Sequence, residues 1–323
     1  MKTKTILYLH MFLVILTSCS YDFNLDNINV SEKMVLYCMP CKDRDTTLIQ
    51  LSRSLPVSPK EEVNKTVSNA RVTFSVNGLE QTVHYADTAM SSVPAGYYYV
   101  LGRWQVADII RIRAEANGVP PIRSTTTIPA GFPIKKVDMV QKQDTDNRLQ
   151  FHITFQDKKE TEDYYGVRIA RKIIYEDMTE NKSSESNEAI DLELDDEPLL
   201  NPTGLNAIFD LSNDFYQYLY IWDDKKVQGK EYTIRLNTYY TTDWEPDEWN
   251  NSRRRIFYKI YLYSLSPELY RYLKSLNDIE NNDLGHKGLA PIRSNYSNVE
   301  NGIGILGGCG LMETEWLKNI SPD

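Results

Sequence analysis

This 323-residue chain has only 4 histidines, 4 cysteines and 36 basic residues, and it lacks any apolar run long enough to cross a membrane beyond its N-terminus. Each shortage removes a class of function. A deficit of Lys and Arg against 45 acids gives a net charge of −9, which argues against nucleic acid or anionic membrane surfaces as partners. Neither a Gly-x-Ser-x-Gly elbow nor a His-Glu-x-x-His helix occurs, and the 45 acids alone carry no information about a paired-carboxylate mechanism. His84 and His152 fall in strand patterns and His286 in a glycine-containing loop; all three are expected to serve packing or the surface rather than proton transfer. With so few soft ligands, neither a metal site nor a cofactor is expected. Seven acids between Glu185 and Glu197 invite a calcium reading, yet the EF-hand spacing and its central glycine are missing, and the stretch reads as a solvated loop.

The N-terminus carries the most specific signal. Lys2 and Lys4 precede a largely apolar run from Ile6 to Leu16, too short to remain as a membrane span. Leu16-Thr-Ser-Cys19 follows, the lipobox order of an aliphatic residue, two small residues and the acyl-accepting thiol. Residues 1–18 are therefore expected to be a signal peptide, Cys19 the point of lipid attachment through diacylglycerol and palmitate-type chains, and 19–31 a polar tether. Cleavage would remove two lysines and no acid, leaving 34 basic against 45 acidic residues and a net charge of −11.

The remaining 305 residues exceed one average domain, and their strand signals fall into two groups. Ala70, Val72, Phe74 and Val76 share one face before Asn77-Gly78, a type I′ hairpin signal. About seven short strands precede the Pro129, Gly131, Pro133 break, the density of an immunoglobulin-like sandwich. Residues 32–133 are thus expected to form an N-terminal β-sandwich and 134–323 a second β-rich domain, giving a mainly β fold of two sandwich-like units. In the second unit, 231–241 and 254–264 both alternate and read as neighbours in one sheet. Ser266-Pro267-Glu268 caps one amphipathic C-terminal helix, expected over about 267–277, with its apolar face on the second sheet. A glycine-rich segment after Asn295, Asn298 and Asn301 reads as a closing strand.

Two side-chain groups stand out as candidate sites. Tyr239, Tyr240, Asp243, Trp244, Glu245 and Trp249 would combine flat rings with hydrogen-bonding acids, a platform for an oligosaccharide or peptide. Cys38 and Cys41 have dithiol spacing and form a candidate disulfide, but a strand at 34–38 removes the helix terminus that a redox-active pair needs.

The order of several short segments carries a family resemblance: Glu32-Lys-Met-Val-Leu-Tyr37, Leu51-Ser-Arg-Ser54, Ala70-Arg-Val-Thr-Phe74, Gly96-Tyr-Tyr-Tyr-Val100, Thr127-Ile-Pro129 with Phe132-Pro-Ile134, Phe155-Gln-Asp157 with Asp163-Tyr-Tyr165, and Ser294 to Gly302 before Gly304–Gly308. On these the chain resembles the Bacteroidota lipoproteins grouped as domain of unknown function 4249. The resemblance implies a lipid-anchored protein of the cell outer membrane, non-catalytic, working as a binding or accessory subunit with a TonB-dependent nutrient-uptake receptor. A structural or adhesive envelope role is the alternative, followed by a glycan or peptide hydrolase. Asp22 and Asp26 do not form a compact acidic export cluster, so the resemblance leaves both faces of the outer membrane open.

Overall fold

The computed structural model describes residues 31–42, 44–54, 65–142, 147–200, 215–247, 249, 251–282 and 294–320. The signal peptide, Cys19 with most of its tether, and His286 lie outside the described residues. The fold is mainly β, with one α-helix among the described residues.

Alternating apolar residues build the first sandwich. Met34, Leu36 and Cys38 of β1 (Met34–Cys38) and Ile49 and Leu51 of β3 (Thr46–Arg53) point into one core. These strands join β6 (Val83–Tyr85), β7 (Tyr98–Leu101) and β17 (Ile303–Leu306) in a sheet ordered β17-β1-β3-β7-β6. Facing it, β5 (Leu79–Gln81), β4 (Arg71–Val76), β8 (Ile109–Ala116) and β9 (Val119–Thr127) contribute Phe74, Ile110, Ile112 and Ile122. Asn77 and Gly78 take φ of 52° and 87° and set Val76 opposite Leu79, as a type I′ hairpin requires.

The second sandwich follows the same period-two logic. Its smaller sheet orders β10 (Ile134–Gln141), β11 (Arg148–Gln156) and β15 (Glu231–Tyr239). Its larger sheet orders β13 (Lys182–Ala189), β12 (Tyr164–Asp177), β16 (Ser252–Leu265), β18 (Cys309–Glu313) and β2 (Cys41–Lys42), with β14 (Tyr220–Asp223) on β12 and β19 (Leu317–Lys318) on β16. Phe151, Phe155, Leu236, Ile169, Tyr258 and Ile260 meet between the sheets. The strands expected as neighbours, β15 and β16, therefore lie in opposite sheets. Alternation fixes which residues face the core, and two strands facing it from either side carry the same pattern.

The two sandwiches are laced together by a pair of parallel strands. β1 runs beside β17 in the first sandwich, and after each the chain passes directly into β2 and β18, which are paired in the second. Bonds from Gly307 N to Cys38 O and from Cys309 N to Pro40 O, both 3.0 Å, carry the ladder across the gap. The closing segment thus differs from its assignment to the 134–323 unit: Val299 and Leu306 are buried in the first core. Close backbone approach explains its glycines, since a Cβ on Gly304, at φ +111°, would stand 2.0 Å from Leu36 O.

The helix, α1 (Pro267–Glu280), extends a turn beyond its expected end. Ser266 Oγ accepts a bond from Leu269 N, and Leu269 and Leu273 pack with Leu265, Ile221, Tyr164 and Ile305. The helix covers the outer face of the larger sheet at the junction with the first sandwich.

Candidate functional site

β12 sends Tyr165, Val167 and Ile169 into the second core, so Tyr164, Gly166 and Arg168 face the opposite way, toward α1. On β16 the residues opposite Gly166 and Arg168 are Tyr263 and Tyr261. Between this face, α1 and the crossing strands lies a pocket of about 560 Å³, within the usual range for small-molecule sites. Leu269, Tyr272, Leu273 and Leu276 line it from the helix, Tyr37 and Met39 from the first crossing, and Ile305 and Cys309 from the second. The lining is apolar and aromatic except for Gln50, Gln217, the tyrosine hydroxyls and one cation, Arg168.

Arg168 is the unusual member. Its Nε is buried and has no hydrogen-bond partner, and no salt bridge to Arg168 occurs among the described residues. Burial pushes up the phenols of Tyr263 and Tyr272, the latter also through its neighbour Tyr37, so both stay neutral donors near pH 7. The Tyr37 and Tyr272 rings meet edge-on with centroids 6.3 Å apart. Gln217 of the lining and Tyr218 after it, which lies outside this pocket's lining, hold left-handed φ values of 53° and 55°, a conformation costing ~1–3 kcal/mol each in a non-glycine residue. Asn277 of α1 fixes this turn by accepting a 2.8 Å bond from Tyr216 N.

The tryptophan-loop residues are placed differently from a common platform. Tyr239 is 68% and Trp249 92% exposed, whereas Tyr240 is only 8% exposed and donates its hydroxyl proton to Ile320 O at 2.7 Å. Tyr240 is thus removed from a stacking surface, because the parity of β15 turns it inward after Tyr239. Trp244 is occupied by the Arg254 guanidinium, 3.5 Å from its ring centroid, and pairs with Arg254 through the backbone. Asp243 accepts from Ile256 N and Asn319 Nδ2, and Glu245 is bridged to Arg253 at 2.6 Å. Four of the six residues therefore fasten the segment to β16 and the C-terminal stretch, and only Tyr239 and Trp249 present free aromatic surface.

The candidate Cys38–Cys41 disulfide is not formed; both thiols are free and buried, as is Cys309. Cys38 points into the first core, while Cys41 sits at the junction directly across the ladder from Cys309. A strand crossing between two sandwiches separates the two arms of the dithiol. Cys309 is held well above the usual thiol range by its hydrogen bond with Cys41 and by burial. His84 stacks on Tyr99, and His152, whose pKa burial lowers, bonds Gln150 at 2.6 Å.

The acidic stretch is solvated at Glu185, Glu188 and Asp195, but it departs from a plain loop in two places, the exposed strand β13 and the buried Glu197. Glu185 and Glu188 lie on β13 beside Lys172 and Arg171, Glu193 and Asp195 flank Arg148, and Asp196 meets Lys142 at 2.7 Å. Glu197 is fully buried, with acceptor bonds from Leu199 N, Arg235 N and Tyr232 Oη. A separate cluster brings one carboxylate oxygen each of Asp157, Asp163 and Asp224 within 4.8 Å of one another. Its donors come from the chain: Tyr165 Oη and Gly229 N bond Asp157, and Asp163 N bonds Asp224. The cluster works as a polar clamp on the loops at the end of the second sandwich.

Sequence reasoning passed over Arg168, which reads as an ordinary outward residue of a long strand. The available signal was a lone cation between Gly166 and the tyrosines of the outer face, and it gains meaning only once α1 covers that face.

A family model described as domain of unknown function (DUF4249) matches residues 20–315. No curated protein matches the chain.

Proposed function

Because the chain belongs to the DUF4249 family, we propose that it is an envelope lipoprotein that acts as a non-catalytic binding or accessory subunit. It is anchored in the outer membrane through lipid on Cys19 and works beside a TonB-dependent nutrient-uptake receptor. The anchoring is supported by the Leu16-Thr-Ser-Cys19 lipobox after a short apolar run. The observation that carries the binding role is the pocket under α1, where an apolar and aromatic lining surrounds a cation without a partner. The first unit is read as immunoglobulin-like, supported by two sheets of five and four strands packed face to face.

Co-purification of the tagged protein from solubilised outer membranes tests the assignment. A TonB-dependent barrel recovered at constant ratio is the expected result. Recovery of self-assembled fibres, or of no barrel, would favour the structural or adhesive reading. Mass spectrometry of the N-terminal peptide should show Cys19 acylated; an unmodified thiol there removes the anchor and the receptor proposal together.

A further inference from the structure

We propose that the pocket beneath α1 binds an organic carboxylate with an apolar body, the carboxylate held by Arg168 and the body lying against the helix leucines. This deepens the binding role above by assigning its ligand class, and it rests on that reading only in taking the folded body to be a binder.

Three observations support it. The first is charge. A guanidinium presents five N–H donors and stays ionised at any physiological pH, so a buried Nε–H with no acceptor is a costly feature to retain. A carboxylate approaching side-on takes the Nε–H and one Nη–H as a fork, which satisfies the orphan donor and neutralises the cation in one contact. In a chain with 45 acids, the many other ion pairs show that carboxylates were available to Arg168 from within; none faces it among the described residues.

The second observation is the shape and chemistry of the rest of the pocket. Leu269, Leu273 and Leu276 on one helix face, with Ile305 opposite, offer an apolar slot that continues outward to the exposed Met39 and Tyr216. A sugar would want several hydrogen-bonding groups spread over this wall, and a phosphate more than one cation. Gln50 and Gln217 are too few for the former, and Arg168 is the single cation for the latter.

The third is preorganisation at the mouth. Gln217, which lines the pocket, takes a left-handed conformation, and the turn that carries it is tied to the helix by the Tyr216–Asn277 bond. Backbone strain of this kind persists where the surroundings over-determine it, and it concentrates at ligand sites.

The test is calorimetric titration of the purified protein with dodecanoate, below its micelle concentration, and with dodecanol as the uncharged analogue. The expected result is saturable one-to-one binding of dodecanoate, with dodecanol weaker by about tenfold or more, the discrimination a charge-assisted hydrogen bond supplies. Arg168→Gln should bring the two affinities together. Met39→Glu, a change at an exposed rim position, should weaken dodecanoate more than dodecanol and serves as the second variant where Arg168→Gln fails to fold. No saturable dodecanoate binding, or equal affinity for acid and alcohol in the unsubstituted protein, would overturn the proposal. Loss of dodecanoate binding leaves receptor co-purification unaffected, and absence of the receptor leaves the titration unaffected, so the two readings fail separately.

Discussion

Asn298 replaces a missing strand. β17 pairs with β1 on one side only; on the other, the Asn298 amide accepts from Leu306 N at 3.0 Å and donates to Leu306 O at 2.8 Å and to Thr125 O at 3.2 Å. One side chain thus closes the edge of β17 and ties it to β9. Asn298→Ala deletes all three bonds, at about 1 kcal/mol each, for a loss of about 3 kcal/mol. Leu306 is fully buried, so its N–H and C=O gain no ready solvent, and an unsatisfied group adds ~1–3 kcal/mol more. At roughly 2 °C per kcal/mol for a large domain, the melting temperature should fall by about 6 °C or more. Asn298→Asp is the informative companion: it keeps the acceptor for Leu306 N but turns an acceptor toward two carbonyls, and should be at least as damaging as alanine. Because β17 continues into β18 of the second sandwich, calorimetry should show one shifted transition rather than a separate early one. A fall under about 1 °C for alanine, or aspartate behaving like asparagine, would refute the strand-replacement argument.

The buried Glu197 carboxyl is raised by burial, so its folded pKa exceeds the unfolded value of about 4.3. The folded state then holds the proton more tightly, and this group makes stability fall as pH rises from the unfolded value through the folded one. Urea midpoints across that range should therefore slope more steeply downward with pH in the unsubstituted protein than in Glu197→Gln; parallel profiles would contradict the burial argument. Tyr165→Phe removes the 2.8 Å bond to the buried Asp157 carboxylate and should cost ~1.5–3 kcal/mol in urea unfolding. Trp249→Ala, at a 92% exposed position, should change stability by less than ~0.5 kcal/mol, whereas Trp244→Ala should cost more by uncovering Arg254. Maleimide should label Cys38 only after denaturation, since it is buried in the first core away from the pocket; rapid labelling of Cys38 in the native protein would show that this core opens.

What the sequence determined by itself is local and periodic. The Asn77-Gly78 hairpin, the inward face of β4 and the Ser266-Pro267 start of α1 all follow from turn chemistry, parity and capping, which need no knowledge of distant residues. Tertiary structure alone decided partnership. Parity reads the same for β15 and β16 whether they share a sheet or face each other, and nothing near Ser294–Gly308 announces that it belongs beside β1. The dithiol spacing of Cys38 and Cys41 could not reveal that the chain changes sandwich between them, nor that Cys309 would be the nearer partner. Arg168 became distinctive only when a helix almost a hundred residues later closed over its face of the sheet, since the want of a partner for a charge is a property of the space around it.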